Sequence, residues 1–220
     1  MRRFVLEQNI IRFRARLHGI LSPRERAMVE EMLQTAERDL ALLQADAIGT
    51  QRYRGEFQGI HARACPAPQL ASLVQKHLEA VEIPSLLLDP GPGLHILDIN
   101  ANYAQATMTV ATRIGGRPLF DVFPDNPDQG QADGVSNLFA SLQFAAQTGE
   151  PHAMAIQRYD IRDSDGRFVE RHWQPVNTPL LDESGRLLYL LHQVHDVTDD
   201  VLAKRARSER ATAFDLRASG

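Results

Sequence analysis

The chain has 220 residues, of which 43% are apolar and 24% charged, and its formal net charge is −4. That balance describes a globular chain and excludes collagen-like, disulfide-scaffold and wholly disordered classes. At ~150 residues per domain the length gives one domain with a substantial extension, or two small ones, and no apolar run reaches the ~18 residues that a membrane span needs.

The start of the chain, with Arg2, Arg3, Glu7 and Arg12, lacks the apolar stretch of a secretory signal. Leu6, Ile10, Phe13 and Leu17 then recur at the spacing of one helix face, and Gly19 ends that helix. Ser22-Pro23-Arg24-Glu25 is a helix start: serine caps, proline takes the first helical position, and Glu25 closes a capping box. Val29, Met32, Leu33, Ala36, Leu40 and Leu43 form the next apolar stripe. Residues 1–48 therefore read as a helical hairpin, whose stripes must pack on each other, on the next domain or on a second copy. From 49 to 69 the glycines and prolines Gly49, Gly55, Gly59, Pro66 and Pro68 mark a linker. It holds the single cysteine, Cys65, which can form neither an internal disulfide nor a thiolate cluster. A reduced, cytoplasmic setting is the expectation.

Helical spacing resumes at Leu70, Leu73, Val74, His77, Leu78 and Val81, so a helix is expected to Glu82, with His77 partly buried on its apolar face rather than a metal ligand. The period then changes. Ser85–Asp89 and Leu94–Ile99 read as two strands around the turn Pro90-Gly91-Pro92-Gly93. Asn100 is an N-cap for a short helix, and short helices follow as far as Pro127. Val135–Gln147 is a longer helix stopped by Gly149 and Pro151. Three strands close the block: His152–Arg162, Phe168–Thr178 and Leu187–Val197, with turns at Asp165-Gly166 and Glu183-Ser184-Gly185. Residues 83–200 carry seven basic and sixteen acidic groups, a balance of −9, which repels a phosphate backbone and argues against direct nucleic-acid binding. Residues 201–220, with five basic and two acidic groups, read as a basic helix or tail.

The order strand, strand, short helices, long helix, three strands resembles a PAS domain. Its motifs are similar in Gly116-Arg117-Pro118-Leu119-Phe120-Asp121-Val122-Phe123-Pro124 and in Asp196-Val197-Thr198-Asp199. Phe123-Pro124-Asp125-Asn126-Pro127, Arg158-Tyr159-Asp160-Ile161 and Trp173-Gln174-Pro175-Val176-Asn177 resemble, more narrowly, a bacterial subfamily found ahead of histidine kinases or other output modules. The resemblance covers about Ile83 to Asp200 and, with the preceding helix, sets the domain at 70–200. It implies an α+β chain, with a five-stranded antiparallel sheet and flanking short helices, preceded by the helical hairpin. A pocket between sheet and helices is implied too, near Tyr103, Met108, Phe120, Phe123, Leu142, Met154, Tyr159 and Trp173. Trp173 can alternatively lie on the sheet surface that such domains bury in dimers. Strand alternation adds His192, which shares a face with Val194 and Asp196, while Tyr189, Gln193 and His195 share the other.

The cofactor stays unknown. Haem is disfavoured because Val135–Gln147 contains no histidine, and covalent flavin chemistry because Cys65 lies outside the matched segment. No metal set is expected: His192 and His195 diverge across the strand, and Asp160, Asp163 and Asp165 lack the closing glutamate of a calcium loop. The chain has no nucleophile elbow, no phosphate loop and no His-Glu-x-x-His, so no catalytic residues and no enzyme are expected. No room remains before Gly220 for a catalytic output domain. The reading is a cytoplasmic sensory or adaptor protein of a bacterial two-component type. It is expected to act as a homodimer on a histidine kinase or other signalling partner, with a small ligand in its pocket. The alternatives are a ligand-free interaction scaffold and, more weakly, a small-molecule enzyme using the same cavity.

Overall fold

The computed structural model describes residues 1–50 and 76–218. The expected linker, apart from residues 49 and 50, lies outside the described residues, as do Cys65 and the expected helix start at 70–75.

Helix α1 (Arg2–Leu17) packs on α2 (Pro23–Ile48) through Ile10, Phe13 and Ala36, with Leu6, Val29, Leu33 and Leu40 around them. The capping box is formed: Glu25 N–H donates to Ser22 Oγ at 3.3 Å and Ser22 N–H to Glu25 Oε2 at 2.9 Å. Hydrogen bonds from the Ser22 hydroxyl and backbone hold the Glu25 carboxyl below its ordinary pKa. The second stripe does not stay on one face. Met32 is exposed, whereas Ala41 and Ala45 join the main core, where α2 lies against α7 (Gly134–Thr148). Gly93 N–H donates to Ala45 O at 2.8 Å and Thr50 N–H to Pro90 O at 3.0 Å, which ties the end of α2 to the turn between the first two strands. Of the three partners left open for the hairpin, the sheet domain is one that it uses. Helix α3, described over 76–80, ends before the expected Glu82, and His77 is exposed on it rather than partly buried. Among its described residues Leu78 alone turns inward, packing with Leu87 and Tyr189 on the outer sheet face.

The strands are β1 (Ser85–Leu88), β2 (Ile96–Ile99), β3 (His152–Ala153), β4 (Gln157–Arg158), β5 (Ile161–Arg162), β6 (Phe168–Val169), β7 (His172–Leu181) and β8 (Leu187–Asp196). The sheet runs β2-β1-β8-β7-β3, all antiparallel, with β4 continuing the β3 edge against β7. The single strand expected over His152–Arg162 is thus broken. Ala153 pairs with Val176 and Gln157 with Trp173, so residues 154–156 face only 174 and 175, a bulge of one residue. Pro175 explains it: its carbonyl accepts Met154 N–H on this side, and with no N–H it cannot return the bond. The strand expected over Phe168–Thr178 is likewise divided, because Phe168–Val169 pairs with β5 in a separate ribbon.

Between β2 and β3 lie α4 (Ala101–Ala106), α5 (Ala111–Ile114), α6 (Leu119–Val122) and α7. Asn100 caps α4 as expected, its Oδ1 accepting Tyr103 N–H at 2.9 Å. Helix α7 buries Val135, Leu138, Phe139, Leu142 and Ala145, the i, i+3, i+4, i+7 stripe, against Leu86, Leu88, Leu190 and Val194 of the inner sheet face. Each such large side chain contributes roughly 1.5–3 kcal/mol of burial. Helix α8 (Thr198–Ala218) follows β8 directly. Its entry is capped by Asp196, whose Oδ1 accepts Thr198 N–H at 2.9 Å, and not by Thr198 itself; the Thr198 hydroxyl instead accepts His172 N–H at 2.9 Å.

Candidate functional site

Alternation along β7 turns Trp173, Pro175 and Asn177 inward, and along β8 turns Leu190, His192 and Val194 inward. Facing them are Tyr103 of α4, Leu119 of α6, Phe123 just after α6, and Leu138 of α7. Trp173, Pro175, His192 and Val194 with these facing residues line an apolar cavity of about 40 Å³, while Asn177 and Leu190 lie in the packing behind it. At ~10–15 Å³ per water-sized probe the cavity has room for a few small heavy atoms.

The structure brings six of the nine residues named from sequence to this cavity: Tyr103, Phe123, Met154, Tyr159, Trp173 and His192. Phe120 and Leu142 are core residues that do not line it, and Met108 is more than a third exposed at a left-handed turn (φ 54°). Trp173 faces inward, not onto the outer sheet surface, and its indole N–H donates to Tyr159 O at 2.8 Å. The Tyr159 hydroxyl donates to Phe123 O. Its ring lies where a side chain at Gly134 would stand: a Cβ there would be 2.1 Å from Cδ2 of Tyr159. Burial raises the pKa of both tyrosine hydroxyls well above the ordinary value. Each is therefore a neutral donor group.

One polar feature was not expected. His192 Nδ1 lies 2.7 Å from Asn177 Oδ1, Asn177 Nδ2 donates to Ser141 Oγ at 2.7 Å, and Ser141 Oγ lies 2.7 Å from His152 Nδ1. Four elements contribute: β8, β7, α7 and β3. His192, Asn177 and Ser141 are buried, and His152 stands half-buried at the sheet edge, beside Phe144. His152, at the start of β3, is thus tied to the interior. Burial lowers the His192 pKa to about 4, so its ring is neutral at pH 7. Sequence parity does offer a signal for Asn177: it falls in step with Trp173 and Pro175, a polar residue on an otherwise apolar strand face.

A second, polar concavity of about 60 Å³ adjoins Tyr159 and is lined by Asp125, Asp133, Arg158 and Asp160. Asp125 Oδ1 accepts Val135 N–H at 3.0 Å, and burial raises its carboxyl above the ordinary pKa. Burial would also raise Asp160, yet hydrogen bonds from Arg158 and Asn126 outweigh it and hold that carboxyl low. Asp160 therefore serves an ion pair (Arg158 Nε to Oδ1, 3.0 Å), while Asp163 forms the β5–β6 turn by accepting Asp165 and Arg167 N–H. Arg158 also reaches Glu170 at 3.5 Å, and Glu170 meets His172 at 3.0 Å and Arg205 of α8 at 3.1 Å. A line of charges joins this polar concavity to the outgoing helix. Among the described residues no group of three or more His, Cys, Asp or Glu side chains is placed to hold a metal ion.

The family model described as PAS fold matches residues 78–202. No protein of curated function matches the chain. Similar solved structures include a light-oxygen-voltage domain studied with a flavin analogue, 18% identical, covering 64% of this chain and 96% of that one at a TM-score of 0.45. The PAS domain of a Colwellia psychrerythraea protein is 13% identical, covering 59% and 98%, with a TM-score of 0.44. The Rhodobacter sphaeroides LOV protein is 12% identical, covering 60% and 69%, with a TM-score of 0.45.

Proposed function

The chain belongs to the PAS fold family, a sensory signalling fold, and from that premise we propose that a small molecule held between sheet and helices biases the helix leaving the sheet. The observation that carries the reading is continuity. Of the strands that line the cavity through Trp173, Pro175, His192 and Val194, β8 runs directly into α8 by way of Asp196, and β7 is tied to the first residue of that helix by the bond from His172 N–H to Thr198. An occupant shifts α8 only if it interacts differently with two arrangements of these strands. The Arg158–Glu170–Arg205 line offers a second connection to the same helix.

The remainder of the proposal is a cytoplasmic homodimer acting on a histidine kinase or other bacterial signalling partner, with residues 1–48 as a helical extension to the domain at 70–200. No helix among the described residues is long and apolar enough to cross a membrane. The ligand is small: about 40 Å³ compares with ~300–1,000 Å³ for pockets of drug-sized ligands. In this side-chain arrangement neither a haem nor a flavin ring system fits. Catalysis has weak support, since the hydroxyl of Thr107 in the cavity wall donates to Tyr103 O, away from His192.

Native mass spectrometry, repeated under denaturing conditions, tests the reading. A dimer carrying extra mass that denaturation releases is the expected result. A dimer of polypeptide mass alone supports instead a ligand-free scaffold, and a monomer without extra mass removes the dimer mechanism. The scaffold reading has its own observation: Phe4, Ile11, Met28 and Met32 of the hairpin are exposed, a surface suited to a protein partner.

A further inference from the structure

We infer that the cavity recognises its occupant through a hydrogen-bond donor on the ligand, accepted by Nε2 of His192, and that Asn177, Ser141 and His152 are positioning residues that hold His192 in this acceptor form. The inference rests on the ligand-binding reading above and names the ligand class.

The direction of the hydrogen-bond chain follows from one amide. Asn177 Nδ2 lies 2.7 Å from Ser141 Oγ and 3.6 Å from Met154 Sδ. A thioether sulfur accepts and never donates, so the NH₂ end of the amide faces it. The carbonyl Oδ1 therefore faces His192 Nδ1, at 2.7 Å. A carbonyl oxygen only accepts, so the proton of the His192 ring sits on Nδ1. A neutral imidazole carries a single N–H, which leaves Nε2 with a lone pair. Ser141 Oγ, already receiving from Asn177, passes its own proton toward His152 Nδ1 at 2.7 Å. Every link points from the cavity toward the sheet edge.

The surroundings keep that acceptor neutral and unopposed. Burial pushes the His192 pKa to about 4. Tyr103 meets the ring edge-on, with centroids 6.1 Å apart. Among the described residues no lysine or arginine lines the cavity, so an anionic ligand would meet a lone pair with no balancing charge. The class that fits is a small, neutral, largely apolar molecule bearing one hydroxyl or N–H.

Pyrrole and furan test it on the full chain. They are five-membered neutral rings of nearly equal size, and only pyrrole donates. Binding is read by NMR at the indole N–H of Trp173, the single tryptophan, which lines the cavity. Pyrrole should bind about tenfold or more tightly than furan. Long-range ¹H–¹⁵N correlation on histidine-labelled protein should show His192 protonated at Nδ1 and His152 at Nε2. In Ser141→Ala the His192 tautomer should become mixed and the preference for pyrrole fall toward parity; if that variant does not fold, the wild-type tautomers and ratio decide. His192 protonated at Nε2, or furan bound as well as pyrrole, overturns the inference while leaving ligand binding intact. If neither probe moves Trp173, the ligand reading and this inference fall together.

Discussion

Replacing Asn177 by leucine probes the buried chain at its centre. Asn177 is completely buried and bonds to both Ser141 and His192. Leucine keeps the same branched side-chain skeleton, with somewhat larger methyl groups in place of the amide oxygen and nitrogen, so the change is mainly one of polarity. It strands the Nδ1–H of His192, for which a buried, unsatisfied group costs about 1–3 kcal/mol. Ser141 retains His152 as a partner, so its loss is that of one ordinary bond, about 1 kcal/mol. A total loss of about 2–4 kcal/mol is expected, reduced by whatever the leucine gains from apolar contact. In a His192→Phe background there is no imidazole to strand, and the same substitution should cost less by about 1–3 kcal/mol. Urea denaturation of the two singles, the double and the wild type, compared at unchanged m-values, measures this coupling. Equal costs in both backgrounds, within about 0.5 kcal/mol, refute the reasoning.

Three further outcomes follow from the same packing. Gly134→Ala places a methyl group 2.1 Å from the Tyr159 ring, which its hydroxyl bond to Phe123 holds in place. Overpacking at about 1–3 kcal/mol exceeds the helix gain of at most about 1 kcal/mol, so the urea midpoint should fall, and a rise contradicts the tight approach. Trp173→Ala empties the cavity wall and removes the indole bond to Tyr159, so a loss of about 3–5 kcal/mol is expected by thermal or urea unfolding. Unchanged melting rejects its inward placement. His192 has a folded pKa near 4, below the usual 6.5, so between those values the unfolded chain binds the proton and the folded one does not. Its contribution is therefore full above about pH 6.5 and is lost as pH falls toward 4, on the order of 3 kcal/mol in all. Wild type and His192→Phe compared at pH 7.5 and 4.5 isolate that share from the carboxylates, and an identical pH loss in both contradicts it.

Local chemistry was legible where a few adjacent residues decide the outcome. Ser22 and Glu25 close a box within one turn, Asn100 caps α4 within three residues, and Gly149 ends α7. Period-two alternation in β8 also separated His192 and Val194 from Tyr189 and His195. Features set by partners distant in sequence were not legible. The break at 154–156 depends on Pro175 across the sheet, and the division of α2 into two buried faces depends on α7. The cavity shows the same limit. Large residues at inward positions were nameable, but Phe120 and Leu142 point into solid core, which only the packing reveals. Ser141 lies in step with Leu138 and Ala145 on a buried helix face, a polar residue whose partner Asn177 is 36 positions away. The hydrogen-bond chain could be read only once four elements had been brought together.

Hydrogen–deuterium exchange across residues 198–210, with and without pyrrole at a concentration that saturates the Trp173 shift, tests most directly whether the cavity governs the outgoing helix. The account predicts altered protection in the first turns of α8, where Asp196 and Thr198 join that helix to the cavity strands. A moved Trp173 signal with unchanged exchange over 198–210 would contradict it, leaving an occupied cavity with no hold on the helix.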